Sequence, residues 1–357
     1  MEEFLENLGK KFGYTEELKE AIRVAVALMV DEYGQDNISS IYEFFNDVKI
    51  FLTNDMSRQN LDEIKNKYVP KDNRIIEESR DLYGTDIAPG SVYSYETIYD
   101  GELNPVGEYR WIVVEDLKGN YREEKYRDAF KTSINMPFFI HEINHAFNMQ
   151  NPIYKKVGNK MYTKHGMIEE NFVFETKGSQ VSISSEDAKN ILLEEAINEM
   201  QTQRMLCRYF NVEDYKQVRE KLSAIGHVGT SYDGILIFLA EEFENLIGKD
   251  NLLEYRKDNK ISIIEEFNKI ISESKIAQHN NFAHNGYEKF GQLCFEVFQL
   301  KCECYKHSLD EYRKLMAKLM LESFGPLYAY TEVTKGTISL EEYESRKEAL
   351  NQGQNQK

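Results

Sequence analysis

Basic residues are fewer than acidic residues in this sequence. Lys and Arg number 44 against 61 Asp and Glu, which gives a formal net charge of −17. No basic patch and no helix-turn-helix pattern is recognisable. Nucleic acids and anionic membrane surfaces attract proteins of the opposite charge. We therefore expect no nucleic acid partner and no membrane partner, whereas a neutral or cationic peptide would be easier to attract.

Long apolar runs are also missing. The longest lie at Ala25–Val30 and Ile235–Ala240, and both fall far short of the ~20 residues that a membrane-spanning helix requires. The first residues, MEEFLE, are acidic where a signal peptide would be basic. These features predict a cytoplasmic protein.

Cysteines are few, and none suggests a disulfide framework. The four are Cys207, Cys294, Cys302 and Cys304, all in the C-terminal half. The last two are separated by one residue in a segment with a helical pattern, so their side chains diverge rather than chelate. We expect four reduced thiols without a metal or disulfide role.

The N-terminal region has the apolar periodicity of helices. A helix is predicted over residues 15–33, because their apolar residues recur as a stripe and Thr15 is a suitable N-cap. Ser40 begins a capping-box spacing, which predicts a second helix continuing through Phe51. A third, more polar helix is predicted from Gln59 to Tyr68.

Strand patterns follow from about Tyr83. Glycines and prolines there separate short segments rich in Val, Tyr, Thr and Ile, and Tyr109–Val114 is the clearest strand. Further on, Met161–Glu175 and Gln180–Ser184 have the pattern of two strands joined around Lys177–Gly178. The sequence therefore predicts a small sheet followed by a hairpin.

The segment between these strand regions contains the pattern H-E-x-x-H, formed by His141, Glu142 and His145. On a helix, positions i and i+4 lie on one face, so both imidazoles can reach a single metal ion. Glu142 would then lie close to that centre without having to bind it, as a general base for metal-bound water must. Apolar flanks and Pro137 at a first helical turn predict a buried helix. The alternative is a pair of surface histidines on an amphipathic helix.

A third ligand is available on a later helix. Ala188, Leu192, Glu195, Glu199 and Gln203 recur with helical spacing. Carboxylates on such a stripe require solvent or a cationic partner. A zinc ion bound by His141, His145 and Glu195 would supply that charge and keep an open position for water. Glu199, one turn later, could accept the free ring N–H of His141. The alternative is a solvated, acid-rich helix face.

With these residues the sequence resembles the gluzincin (thermolysin-like) metallopeptidases. Glu195-Ala-Ile-Asn-Glu199 is similar to that family's E-A-I-x-[DE] segment. The resemblance implies that His141, His145 and Glu195 bind zinc, that Glu142 is the catalytic base, and that Glu199 supports a histidine ligand. It covers roughly residues 109–210, and no copy of the family's substrate-binding edge-strand motif precedes the zinc helix.

The reaction implied is hydrolysis of a peptide or protein substrate by a Glu-activated, zinc-bound water. The tetrahedral oxyanion requires a second electrophile besides zinc. Tyr232 is the first candidate because it follows a glycine-containing loop at a helix start; His227 is the second and His165 the third. Two alternatives remain open: a catalytically inactive peptidase-like binding protein, and a cytosolic regulatory protease acting on one specific protein.

Together these patterns predict an α+β fold that is mostly helical. A small mixed sheet and the zinc-site helix would be followed by a helical lobe, with the active-site cleft between them. Helical character is expected from Glu186 to about residue 325. The predicted organisation is a helical N-terminal region at 1–80, a sheet-bearing catalytic region at 81–210, a helical C-terminal lobe at 211–350 and a disordered tail at 351–357.

Overall fold

The computed structural model describes residues 1–71, 90–177, 180–227, 234–258 and 286–319, with isolated positions at 265, 268 and 269. These residues form an α+β fold that is mostly helical, which confirms the predicted fold class. Within them, no helix is both long enough and apolar enough to cross a bilayer.

Four helices and a short 3-10 turn form most of the N-terminal region: α1 (Glu2–Phe12), α2 (Glu16–Tyr33), the 3-10 turn Gln35–Asn37, α3 (Ile38–Asp47) and α4 (Arg58–Tyr68). Thr15 caps α2, because its hydroxyl accepts a hydrogen bond from the Leu18 N–H at 3.3 Å. Ser57 caps α4 in the same way through the Asn60 N–H. The helices predicted over residues 15–33 and 59–68 are therefore confirmed.

The second predicted helix is wrong at its C-terminal end. Helix α3 ends at Asp47, and the residues predicted to continue it form strand β1 (Lys49–Thr53). Ser40 lies inside α3 and does not cap it. A short apolar run is compatible with a helix or a buried strand, and here Phe51 pairs with Val113 in a strand about sixty residues later.

The first sheet contains β1, β2 (Ser91–Tyr99) and β3 (Pro105–Glu115) in the order β1-β3-β2. Strand β1 is parallel to β3, whereas β2 is antiparallel to it, so the sheet is mixed as predicted. Strand β3 contains the predicted strand Tyr109–Val114. Strand β2 is an edge strand among the described residues.

The second sheet is a meander of β4 (Ile153–Val157), β5 (Lys160–His165), β6 (Ile168–Lys177) and β7 (Gln180–Lys189). The strand predicted over Met161–Glu175 is in fact two strands, because the chain turns at Gly166, whose φ is +57°. Strand β7 continues to Lys189, and the next helix begins only at Ile191. The prediction that the helical region begins at Glu186 is therefore wrong. Ala188 consequently lies outside the helical stripe to which it was assigned.

The remaining helices are α5 (Glu123–Phe130), α6 (Met136–Asn148), α7 (Ile191–Phe210), α8 (Tyr215–Ala224), α9 (Ile235–Ile247), α10 (Lys249–Asp258), α11 (Gly286–Cys302) and α12 (Leu309–Leu319), with a 3-10 turn at Cys304–Lys306. Helix α6 contacts β2, β3 and α2. Most of its apolar side chains are buried, and Phe147 packs edge-on against Phe44 with ring centroids 5.7 Å apart.

The chain divides into two compact units. The first comprises the described residues of Met1–Ala188 and Asn198–Thr230, and it contains both sheets and helices α1–α6 and α8. The second comprises the described residues of Lys189–Ile197 and Ser231–Lys357, including α9–α12. Helix α7 is one continuous helix that contributes to both. The predicted domain boundaries stay predictions, and the tail at 351–357 lies outside the described residues.

Candidate metal centre

Helix α6 presents both histidines of the H-E-x-x-H pattern on one side. Pro137 lies in its first turn, where a missing N–H breaks no helical hydrogen bond. The rings of His141 and His145 have centroids 4.8 Å apart, and the two residues are only 5% and 6% exposed. The alternative of two surface histidines therefore does not describe this helix.

Glu195 of α7 joins the two histidines. One potential ligand atom from each of His141, His145 and Glu195 lies within 4.8 Å of the others, and all three residues are buried. Within the described part of the chain, this is the one group of His, Cys, Asp or Glu side chains close enough to share a metal ion. The structure thus brings together the three residues that the sequence predicted as ligands, although Glu195 follows His145 by 50 positions.

The next acid on α7 supports the first histidine. Glu199 is 1% exposed, and its Oε2 lies 3.0 Å from Nδ1 of His141. Its other oxygen accepts a hydrogen bond from the Gln203 amide at 2.8 Å. A carboxylate on Nδ1 favours the proton at that nitrogen, so Nε2 of His141 carries the lone pair that a metal requires.

Glu142 is oriented from strand β2. The Ser91 hydroxyl donates to one carboxylate oxygen at 3.2 Å, and the Tyr93 backbone N–H donates to the other at 2.8 Å. Sequence reasoning missed both residues. A backbone donor has no sequence signature. The packing of β2 against α6 depends on contacts between residues that are about fifty positions apart in the sequence.

Buried amides and hydroxyls join α6 to α7 and α2. The Asn198 amide donates to the His141 carbonyl oxygen at 2.8 Å, and the Asn144 amide donates to the Thr202 hydroxyl at 3.2 Å. The Tyr33 hydroxyl lies 3.2 Å from both the Asn144 and the Gln201 side-chain oxygens. We call the side chains of Tyr33, Asn144, Asn198, Gln201 and Thr202 the amide network. Since a buried polar group without a partner is costly, the amide network favours a single register between the helices.

His227, the second candidate for stabilising the oxyanion, is a buried side chain beside α6. Its ring packs on Phe138, with centroids 4.9 Å apart, and its Nδ1 lies 3.0 Å from the Tyr126 hydroxyl. Burial lowers the pKa of His227 from 6.5 to about 4. The negative charge of Glu199 acts in the opposite direction, so Glu199 is close enough to interact electrostatically with His227. The imidazole is therefore neutral at pH 7.

The lowered pKa of His227 predicts acid sensitivity. Between pH 6.5 and 4 the unfolded chain protonates this histidine and the folded chain does not, so the free energy of unfolding decreases as the pH falls through this window. The shift corresponds to about 3 kcal/mol in total. We expect His227→Gln to reduce the pH dependence by that order when urea unfolding of metal-free protein is followed from pH 7 to 4.

The control for this experiment is His307→Gln, which changes a partly exposed histidine outside the site. A loss of pH dependence in the His227 variant that exceeds the loss in the His307 variant is attributed to the burial of His227. Equal slopes for the His227 variant and the unmodified chain would show that His227 titrates normally in the folded protein.

The other two oxyanion candidates differ in status. Tyr232 lies outside the described residues. His165 is 3% exposed, with Nδ1 lying 3.3 Å from the Tyr95 hydroxyl and Nε2 lying 3.0 Å from a Glu108 oxygen. Both of its ring nitrogens are engaged within this cluster, where His165 helps to lower the pKa of Glu108 to about 2 despite burial. We therefore do not assign His165 to the oxyanion.

Comparisons of the chain with protein-family models, with curated proteins and with solved structures found no match. The candidate site consequently rests on its own residues and geometry.

Proposed function

We propose that this protein is a zinc-dependent metallopeptidase. The observation that carries the proposal is the buried cluster of His141, His145 and Glu195, with Glu142 in the same helical turn as the two histidines. The hydrogen bond between Nδ1 of His141 and Glu199 would fix the tautomer of His141. The gluzincin resemblance stays part of this proposal.

The three side chains suit zinc. Two imidazoles and one carboxylate form a ligand set that catalytic zinc sites use, with one coordination position left for water or substrate. Nitrogen and oxygen ligands without thiolates also disfavour copper(I) and iron–sulfur clusters. When bound, a zinc ion would act as the Lewis acid that activates water and polarises the scissile carbonyl.

Glu142 would act as the general base. Its carboxylate is held by the Ser91 hydroxyl and the Tyr93 N–H, so its orientation is set before substrate arrives. A carboxylate in this position can take a proton from the attacking water and pass it to the departing amine. The two hydrogen bonds would keep the Glu142 carboxylate in one orientation through both proton transfers.

Strand β2 offers a surface for a peptide backbone. The Glu115 N–H donates to the Gly90 carbonyl at 2.8 Å, and such pairs alternate along an antiparallel ladder. The backbone groups of Ser91 and Tyr93 therefore point away from β3, and the Tyr93 N–H already donates to Glu142. An extended peptide could add by main-chain hydrogen bonds to the part of this edge that Glu142 does not occupy. Its scissile bond would then pass close to Glu142, which contacts the same edge.

His227 is our candidate for the group that stabilises the oxyanion. If the Tyr126 hydroxyl donates to Nδ1 of His227, the neutral ring carries its proton on Nε2 and can donate it to a developing negative charge. A neutral donor is consistent with the lowered pKa. We further propose a peptide or protein substrate in the cytoplasm, which includes the possibility of a regulatory protease with one target.

The test of this proposal is metal analysis of protein purified without added metal. We expect about one zinc per chain and cleavage of a peptide library that stops after chelation and returns with zinc. His141→Ala should lower zinc content to a small fraction, because removing a direct ligand leaves two side chains to hold the ion. His165→Ala serves as the control, since that histidine lies in a separate cluster. Equal zinc content in the wild-type and His141→Ala proteins would refute the metal site, and bound zinc without cleavage would favour the inactive binding protein.

A further inference from the structure

The turn of α7 that carries Glu195 is anchored on the side chain of its neighbour. Glu194 and Arg256 of α10 form an ion pair in which both side chains are fully buried. The Arg256 Nε donates to one Glu194 oxygen at 3.2 Å, and Nη2 contacts the other oxygen. This two-point contact fixes the orientation of Glu194 as well as its position.

A second contact holds the chain just before α7. Asn190 has a φ of +62°, and a Cβ added at Gly291 of α11 would lie 2.1 Å from the Asn190 Oδ1. Helix α11 therefore approaches the start of α7 more closely than any side chain there would allow. Both contacts lie within the second unit, which includes Lys189–Ile197.

Helix geometry transmits these contacts to the metal ligand. Consecutive residues on an α-helix are separated by about 100° around the axis, so Glu194 and Glu195 point in different directions from one turn. Because Glu194 is held by Arg256, the turn cannot rotate without breaking the Glu194–Arg256 contact. A rotation of that turn would draw the Glu195 oxygen away from the two imidazoles.

We propose that Arg256 is a positioning residue for the metal ligand Glu195, acting through Glu194, with the close approach of Gly291 to Asn190 as a second restraint. The inference rests on the metal site of the proposed function but not on peptidase activity. Its consequence is that side chains without metal contact determine the affinity for the ion and the ligand set that the ion adopts.

The test is a titration of the metal-free, full-length protein with Co²⁺, which reports binding and coordination by its absorption spectrum. We expect Arg256→Met to weaken Co²⁺ binding by about 10–100-fold, the range seen when residues supporting metal ligands are lost. The spectrum of its loaded form should shift toward that of Glu195→Gln. Arg256→Lys keeps the charge without the two-point contact, and it should fall between Arg256→Met and the wild type. Gly291→Ala should also weaken binding.

Lys189→Met is the matched control because it breaks an exposed ion pair with Glu288, at 3.2 Å, in the same segment. Exposed pairs contribute little, so binding and spectrum should not change. General destabilisation would lower the melting temperature without altering the spectrum of the loaded protein. The spectral shift therefore separates positioning from mere stability.

Wild-type affinity and an unshifted spectrum in folded Arg256→Met would overturn the proposal. If that variant does not fold, Arg256→Lys and Gly291→Ala decide in its place, and unchanged binding in both would have the same meaning. Failure of the proposed function is distinguishable. A wild-type protein that binds Co²⁺ but cleaves no peptide leaves this inference intact, whereas one that binds no Co²⁺ removes both.

Discussion

Replacing Glu142 by Gln should abolish peptide cleavage while zinc stays bound. The substitution keeps the size of the side chain but removes the oxygen that accepts a proton. Positioned general bases contribute about 10²–10⁴-fold to rate, so we expect kcat/KM to fall by at least about 10²-fold. Because His141, His145 and Glu195 are unchanged, zinc content should match that of the wild type. The measurements are cleavage of a fluorogenic peptide library and metal analysis of the same samples.

Glu124→Gln is the control for this experiment, since Glu124 is an exposed acid on α5 outside the site. It should retain full activity and full zinc content. Undiminished cleavage by the Glu142 variant would exclude Glu142 as the base. Loss of zinc together with activity would instead assign Glu142 a structural part in the metal site.

Gly90→Ala should cause one of the largest losses of stability in the first unit. Gly90 has a φ of +64°, and an added Cβ would lie 2.0 Å from Cδ2 of Phe138 in the first turn of α6. A left-handed backbone costs a residue with a side chain about 1–2 kcal/mol, and overpacking costs about 1–3 kcal/mol more. The expected total is about 2–5 kcal/mol in the free energy of unfolding, measured with urea.

Two other glycines separate these contributions. Gly13 has a φ of +73° and no atom within 4 Å of an added Cβ, so Gly13→Ala should show the backbone cost alone, about 1–2 kcal/mol. Gly101 has neither the positive φ nor a close neighbour, and its alanine variant should be nearly neutral. If Gly90→Ala proves no more destabilising than Gly13→Ala, the close approach of Phe138 does not contribute.

Local signals were sufficient for much of the fold. The N-cap at Thr15, the position of Pro137 and the apolar stripes of α2 and α6 depend on neighbours within one or two turns, and the structure contains the helices they predict. Strand β1 could not be predicted in this way. Its residues continue the apolar pattern of α3, and their assignment depends on pairing with β3, a contact remote in sequence.

The candidate site divides in the same way. His141, Glu142 and His145 stand in one short motif, and Glu195 and Glu199 share one helix, so residue types and spacing identify them. The groups that orient them do not follow any local pattern. The Tyr93 contact is made by the backbone, and the Glu194–Arg256 pair joins residues 62 positions apart. Such contacts depend on how the elements pack.

The amide network favours Glu195 over Glu199 at the candidate metal position beside His141 and His145. Glu195 and Glu199 are one helical turn apart, so a slide of α7 by about 5.4 Å would exchange their places. That slide would leave the Asn198 amide and the Thr202 hydroxyl without their present partners on α6. Tyr33 would lose Gln201 as well. If the proposed metal is bound, uncharged side chains that do not contact it would thus assign Glu195 to the ion and Glu199 to Nδ1 of His141.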